Sequence, residues 1–183
     1  INVVPMEIGG GFGGKIYAII EPLAIMLSQK THRPVKMVLT REEVLKATGP
    51  ASPAHITIKV GAKRDGSITA CSVRHIYDAG CMPGAPDNQS ALVSTGPYKT
   101  PNLRIRGYDV VTNKPRVQAY RAPGGPPMGF AVESTMDKLA EKLGMDSLEF
   151  RLKNHVSEGD LMTNDQPYNR IWAGKILETA KNS

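Results

Sequence analysis

"AHITIKVGAKRDGSITACSVRHIYDAG", Ala54 to Gly80, is the stretch from which the class of fold is read. Ile56, Ile58 and Val60 alternate with polar residues, Asp65-Gly66 supplies a turn, and a second alternating run follows. Alternation at period two across an Asp-Gly turn predicts a β-hairpin with one wet face. The dry face needs a covering layer, and the flanking sequence offers helices.

Downstream, Met128, Val132, Met136, Leu139 and Leu143 recur every three or four residues, and Gly144 is placed to end that helix. Asp146 and Glu149 in "DSLE" read as a capping pair for a second helix carrying Leu148, Leu152 and Val156, and "WAGKILETAK" reads as a third. Between hairpin and helices, "CMPGAPDNQSALVSTGPYKTPN" is rich in Pro, Gly and small polar residues, which predicts a long irregular connection. "LRIRGYDVVTN" and "RVQAY" read as two further strands. Upstream, Glu21 to Lys30 is expected to be helical, with Leu23, Met26 and Leu27 on one face and Pro22 tolerated in the first turn. "VKMVLT" then reads as a buried strand and "REEVLKAT" as a short helix. No repeat or linker interrupts the chain. The expected architecture over residues 1–183 is α+β without an internal boundary, a mixed sheet with a β-hairpin packed against several helices.

At 40% hydrophobic and 22% charged residues, with no apolar run near 18, the 183 residues have the composition of a soluble globular chain without a membrane segment. Cys71 and Cys81 lie ten apart without zinc-ligand spacing, so neither a disulfide framework nor a metal knot is indicated. A reducing, cytoplasmic setting is expected. The chain starts at Ile1, and we expect it to be an internal fragment of a longer polypeptide, about whose signal peptide these residues say nothing. The net charge of +6 would suit a polyanion, but the 23 Lys and Arg are scattered singly or in pairs, and three Phe, six Tyr and one Trp leave little for stacking bases. A phosphate-bearing cofactor fits the charge as well. His32, His55, His75 and His155 show no ligand spacing.

"GGGFGGK", Gly9 to Lys15, has five glycines in seven residues, a density that permits close approach of backbone to a ligand. It satisfies GxxxxGK, but Ile16 stands where a P-loop needs a Ser or Thr for magnesium, and GxGxxG threads through any such run of glycines. Phe12 between glycines is the unusual feature, an aromatic ring carried on unusual backbone. In "QAYRAPGGPPMGF", a strand ending at Tyr120-Arg121 is expected to meet a Pro/Gly loop and then a helix, whose N-terminal amides and the adjacent Arg would attract an anion.

Together, "GGGFGGK" and "QAYRAPGGPPMGFAVESTMDKLAEKLGMDSLEFRLKN" resemble the molybdenum-cofactor subunit of the xanthine dehydrogenase and aldehyde oxidase family. The similarity runs on through "LSQKTHRPVKMVLTREE", "YDAG" and "GPYKTPNLR". What the resemblance implies is a molybdenum hydroxylase, in which a molybdopterin cofactor, including its cytosine dinucleotide form, inserts a water-derived oxygen into a C–H bond. Electrons would leave through iron–sulfur clusters and FAD on other domains or subunits. Gly11, Phe12 and Gly13 match the family loop that packs beside the metal, and Arg121 matches the arginine that contacts the metal-centre region. No side chain here is expected to ligate the metal directly. Purine-oxidising members carry Glu where this chain has Ile16 and Phe where it has Pro123, so these two substrate-pocket positions argue against a purine; the resemblance as a whole implies an aldehyde or N-heterocycle as substrate. The copper-binding Cys of carbon monoxide dehydrogenases is replaced by Ala122.

The family's catalytic Glu is expected outside this stretch, and none of Glu7, Glu21, Glu133 or Glu149 is assigned its role. No catalytic residue is therefore expected here, and the isolated chain is expected to be inactive. Two other readings stay open: a non-catalytic molybdopterin-binding or cofactor-insertion protein of the same fold, and a P-loop nucleotide binder.

Overall fold

The computed structural model describes residues 1–183. Two strands, β1 (Ala54–Ala62) and β2 (Ile68–Gly80), form the expected hairpin, antiparallel with Val60 opposite Cys71. Its turn is held locally: the Asp65 carboxylate accepts from the Ser67 amide at 3.0 Å, and Gly66 takes a φ of 87° that a side chain would strain. A third strand, β3 (Leu103–Val111), lies parallel to the other edge of β2, giving a mixed sheet in the order β1-β2-β3. Parallel pairing demands a long crossover. The connection predicted to be irregular supplies it and contains a two-turn helix, α3 (Asp87–Val93), that the surrounding Pro and Gly residues concealed.

Three helices lie outside the sheet layer at the N-terminal side and the C-terminus: α1 (Glu21–Thr31), α2 (Arg41–Ala47) and α6 (Ala173–Lys181). None of them buries a residue. The core is made by α4 (Gly125–Leu143), whose Met128, Val132, Met136 and Ala140 are buried against Cys71 and Val73 of β2, with Ile56, Ile58 and Val60 of β1 alongside. Gly144 ends α4 in a left-handed cap, as its sequence position requires.

Next, α5 (Ser147–Asn154) starts with the Asp146 carboxylate accepting from the Leu148 and Glu149 amides at 2.9 and 3.0 Å. Asp146 is thus the cap, whereas Glu149 pairs with Lys181 of α6. The helix buries Phe150 rather than Leu148 or Leu152, and Val156 packs from beyond its end. Asn154, only 4% exposed, closes the arrangement. Its amide donates to the carbonyls of Gly66 and Phe150 at 2.9 Å, and its Oδ1 accepts from the Ile68 amide at 2.9 Å, tying α5 to the hairpin turn.

Two predicted strands are absent. "VKMVLT" lies outside the sheet, with Val38 71% exposed, because no neighbouring strand is present to satisfy its backbone. "RVQAY" is extended but irregular: its Val117 amide donates to Ala79 at 3.1 Å and its Gln118 amide to Pro50 at 3.2 Å, on two different segments. No continuous ladder can form from donors aimed at separate neighbours.

Candidate functional site: the glycine loop and the arginine turn

Residues 1–20 contain no strand, so the strand, loop and helix order of a P-loop is not built. Instead, the glycine run makes a turn with Gly14 donating to Gly11 at 2.7 Å and Ile16 to Gly13 at 3.2 Å. Phe12 has a φ of 50° and Gly13 a φ of 112°. Gly13 is the position that tolerates no side chain: a Cβ there would stand 2.4 Å from the Ala119 carbonyl oxygen. Lys15 folds its stem back over Gly11.

The close approach of Gly13 to Ala119 joins the two remote motifs. The Arg121 amide donates to the Phe12 carbonyl at 2.7 Å, and its guanidinium carbon lies 6.0 Å from the centre of the Phe12 ring. Both side chains are exposed, Phe12 by 61%. The chain then turns sharply through Ala122 (φ 57°) and Gly124 (φ 79°). A Cβ at Gly124 would meet Ser90 Oγ at 2.4 Å and the Pro86 carbonyl at 2.6 Å. Ser90, fully buried, donates to the Gly124 carbonyl at 3.0 Å and accepts from the Tyr77 hydroxyl at 2.5 Å, anchoring the turn to β2.

The start of α4 differs from the expected anion site. Gly125 already donates to Ala122 at 2.9 Å, and Pro126 and Pro127 have no N–H to offer. Positive charge at this rim therefore comes from side chains, Arg121 and Arg116, rather than from helix amides.

Beside the turn opens a cleft of about 670 Å³ whose walls include Tyr77, Arg116, Gln118, Tyr120 and Pro123. Pro123 lines it; Gly11, Phe12, Gly13, Ile16 and Arg121 do not, and Ile16 is exposed on the loop. Arg116 caps the Tyr17 ring at 5.4 Å. Gln118 stands in the wall with its Oε1 buried and unpaired, its stem fixed by the Gly49 loop, where a Cβ would lie 2.1 Å from Gln118 Cγ. A buried acceptor without a partner suits a ligand carrying ring N–H groups, and Arg116 in the wall suits a phosphate. Neither Gln118 nor Arg116 was singled out from sequence, although Gln118 falls inside the quoted arginine motif. No group of three or more His, Cys, Asp or Glu converges anywhere in the chain.

Glu133 is engaged in structure: its Oε2 accepts from the Tyr98 hydroxyl at 2.7 Å and from Arg151 Nη2 and Nε at 2.7 and 3.1 Å. Burial first, and the Glu133 carboxylate second, push the Tyr98 hydroxyl well above the ordinary tyrosine range. Cys71, buried in the core, has its thiol pushed up to about 11, which keeps it protonated and inert.

Residues 1–155 match the family model described as the molybdopterin cofactor-binding domain. Among curated proteins, the chain is similar to a probable xanthine dehydrogenase subunit from Bacillus subtilis, 38% identical over 88% of this chain and 22% of that protein. Among solved structures it superposes on the aldehyde oxidoreductase from Desulfovibrio desulfuricans with TM-score 0.87 and 30% identity, over 95% of this chain and 20% of the other. Quinoline 2-oxidoreductase from Pseudomonas putida gives TM-score 0.86 at 26% identity, over 96% and 24%. The chain thus spans about a fifth to a quarter of these three proteins.

Proposed function

Because the chain belongs to the molybdopterin cofactor-binding domain family, we propose that it builds one wall of the molybdopterin site in an oxidoreductase of the xanthine dehydrogenase and aldehyde oxidase type. The substrate is an aldehyde or an N-heterocycle, with water as the oxygen source. When bound, the cofactor supplies the redox centre; the protein binds, orients and polarises it. The cytosine dinucleotide form is included in the proposal, as are iron–sulfur and FAD domains or subunits that carry the electrons away, and a cytoplasmic setting. No helix of the chain is long and apolar enough to cross a membrane.

In this reading Gly11, Phe12 and Gly13 would offer backbone to the bound cofactor, and Arg121 would supply a fixed positive charge beside it. Gln118 Oε1, buried and without a partner, would accept a hydrogen bond from the bound cofactor. Ile16 and Pro123 shape the substrate side without the carboxylate and the ring that a purine would use. The general base comes from another part of the polypeptide, so the 183 residues alone turn nothing over. The observation that carries the reading is the 2.7 Å bond from the Arg121 amide to the Phe12 carbonyl, which brings the two motifs to one place.

The test uses the full polypeptide that contains these residues. Molybdenum content, pterin fluorescence after oxidation, and aldehyde-dependent dye reduction are measured for wild type and Arg121→Leu. Wild type is expected to hold metal and pterin and to reduce the dye, and the variant to lose about tenfold in metal content. Wild type lacking both metal and pterin overturns the proposal. Bound cofactor without turnover of any aldehyde or N-heterocycle favours the insertion protein instead.

A further inference from the structure

The helices cover one face of the sheet and leave the other open. Register assigns the open face: Lys59, Ser72 and Arg104 form one row across the three strands, Thr57, Arg74 and Arg106 the next, and His55, Ile76 and Tyr108 a third. Their neighbours along each strand, such as Val60, Val73 and Ile105, point into the core, as period two requires. Lys59, Arg74, Arg104 and Arg106 are all exposed, and none takes part in an ion pair.

The strands contain two carboxylates, and neither offsets these charges. Asp78 is committed to Lys114 and Thr112, both at 2.6 Å, and Asp109, on the other face by its pairing with Tyr77, accepts from the Gly84 amide at 2.8 Å. Arg74 stands level with Arg106 in the parallel pair of β2 and β3, and two like charges held on one face repel each other. Folding does not account for a face that repels itself.

We propose that this open face docks a carboxylate-rich surface of a partner protein, gripped by Lys59, Arg74, Arg104 and Arg106. Three of the four cations are arginines, whose planar fork matches a carboxylate and which protein interfaces favour over lysine. Ile76 and Tyr108 lie in the row beside them as an apolar footing. Nucleic acid fits less well. Tyr108 and His55 are the face's only rings and Arg74 already covers Tyr108 at 5.1 Å, leaving no run of stacking platforms, and a flat three-stranded face does not enter a groove as a helix or ribbon does. The inference is independent of the cofactor reading, because the face shares no residue with the glycine loop, the arginine turn or the cleft.

Fluorescence anisotropy on the full polypeptide tests it, with labelled decaglutamate as the acidic probe. Wild type is expected to bind, losing about tenfold in affinity between about 50 and about 300 mM salt. Arg104→Gln with Arg106→Gln is expected to weaken binding by about tenfold, while the exposed pair Lys138→Gln with Lys142→Gln on α4 leaves it unchanged. The thermal midpoint of the arginine variant is expected to equal or exceed that of wild type. Equal effects of the two pairs overturn the proposal, as does a lowered midpoint, which would make the arginines structural. Tighter binding of an oligothymidylate of about twenty residues than of decaglutamate overturns the protein partner.

Discussion

Gly13→Ala is the sharpest probe of the glycine loop. At a φ of 112° an L-residue is strained by about 1–3 kcal/mol, and the new Cβ would lie 2.4 Å from a backbone oxygen, adding overpacking of about 1–3 kcal/mol. The Arg121 to Phe12 hydrogen bond that holds the loop down contributes about 0.5–1.5 kcal/mol. Strain exceeds restraint, so the loop should detach rather than deform. Residues 1–17 bury nothing, so the core has little to lose: the thermal midpoint of the variant should fall by less than about 2 °C. The loss is local and is read by hydrogen exchange in peptides covering Gln118 to Pro123, where the Arg121 amide should exchange at least about tenfold faster. In the full polypeptide, molybdenum content should fall with it. Unchanged protection of Arg121 in a folded variant would refute the reasoning, because it would mean that Gly13 does not hold the two motifs together.

Asn154→Ala should cost about 2–4 kcal/mol in urea unfolding, since it leaves the buried Ile68 amide and the Gly66 carbonyl without partners. Destabilisation below about 1 kcal/mol would show that the hairpin tip is not tied through this side chain. Burial, only partly opposed by the Asp87 charge, holds the fully buried His75 ring below its ordinary pKa. The unfolded chain then binds the extra proton, so stability from His75 is complete above pH about 6.5 and is lost progressively as pH falls below it. His75→Leu should flatten the decline of the denaturation midpoint between pH about 6.5 and about 5, and an unaltered slope would assign that decline to other groups. Asp78, held at about 2 by the Lys114 and Thr112 hydrogen bonds, contributes in a separate window, present above its ordinary carboxylate pKa and lost as pH falls through about 2.

The hairpin and α4 were legible in the sequence because each carries its own period: Ile56, Ile58 and Val60 at two, Met128, Val132 and Met136 at three to four. "VKMVLT" misled because a β-branched apolar run says nothing about whether a partner edge exists. "RVQAY" misled for a related reason, its donors being divided between Ala79 and Pro50. Asn154 was invisible, since a polar residue at the end of a helix looks like any other until the hairpin turn is brought against it. At the site, five glycines announced close backbone approach but not its object. The match of Phe12 and Arg121 came from resemblance, and the cleft behind Gln118 required the fold itself, because Gly49, Gln118 and Pro123 converge from segments with no shared pattern.

Ser90 and Tyr77 clamp the turn at Gly124 to the sheet, whereas the glycine loop hangs from a single amide at Arg121. During synthesis this imposes an order. The loop emerges from the ribosome near the start of the stretch and waits while about 109 residues are added, about 5–20 s at ordinary elongation rates, before its anchor exists. Ile1, Val4, Met6, Ile8 and Phe12 are exposed on this arm throughout that interval and stay exposed once it is anchored, which makes the arm a client for a holdase chaperone both before and after folding.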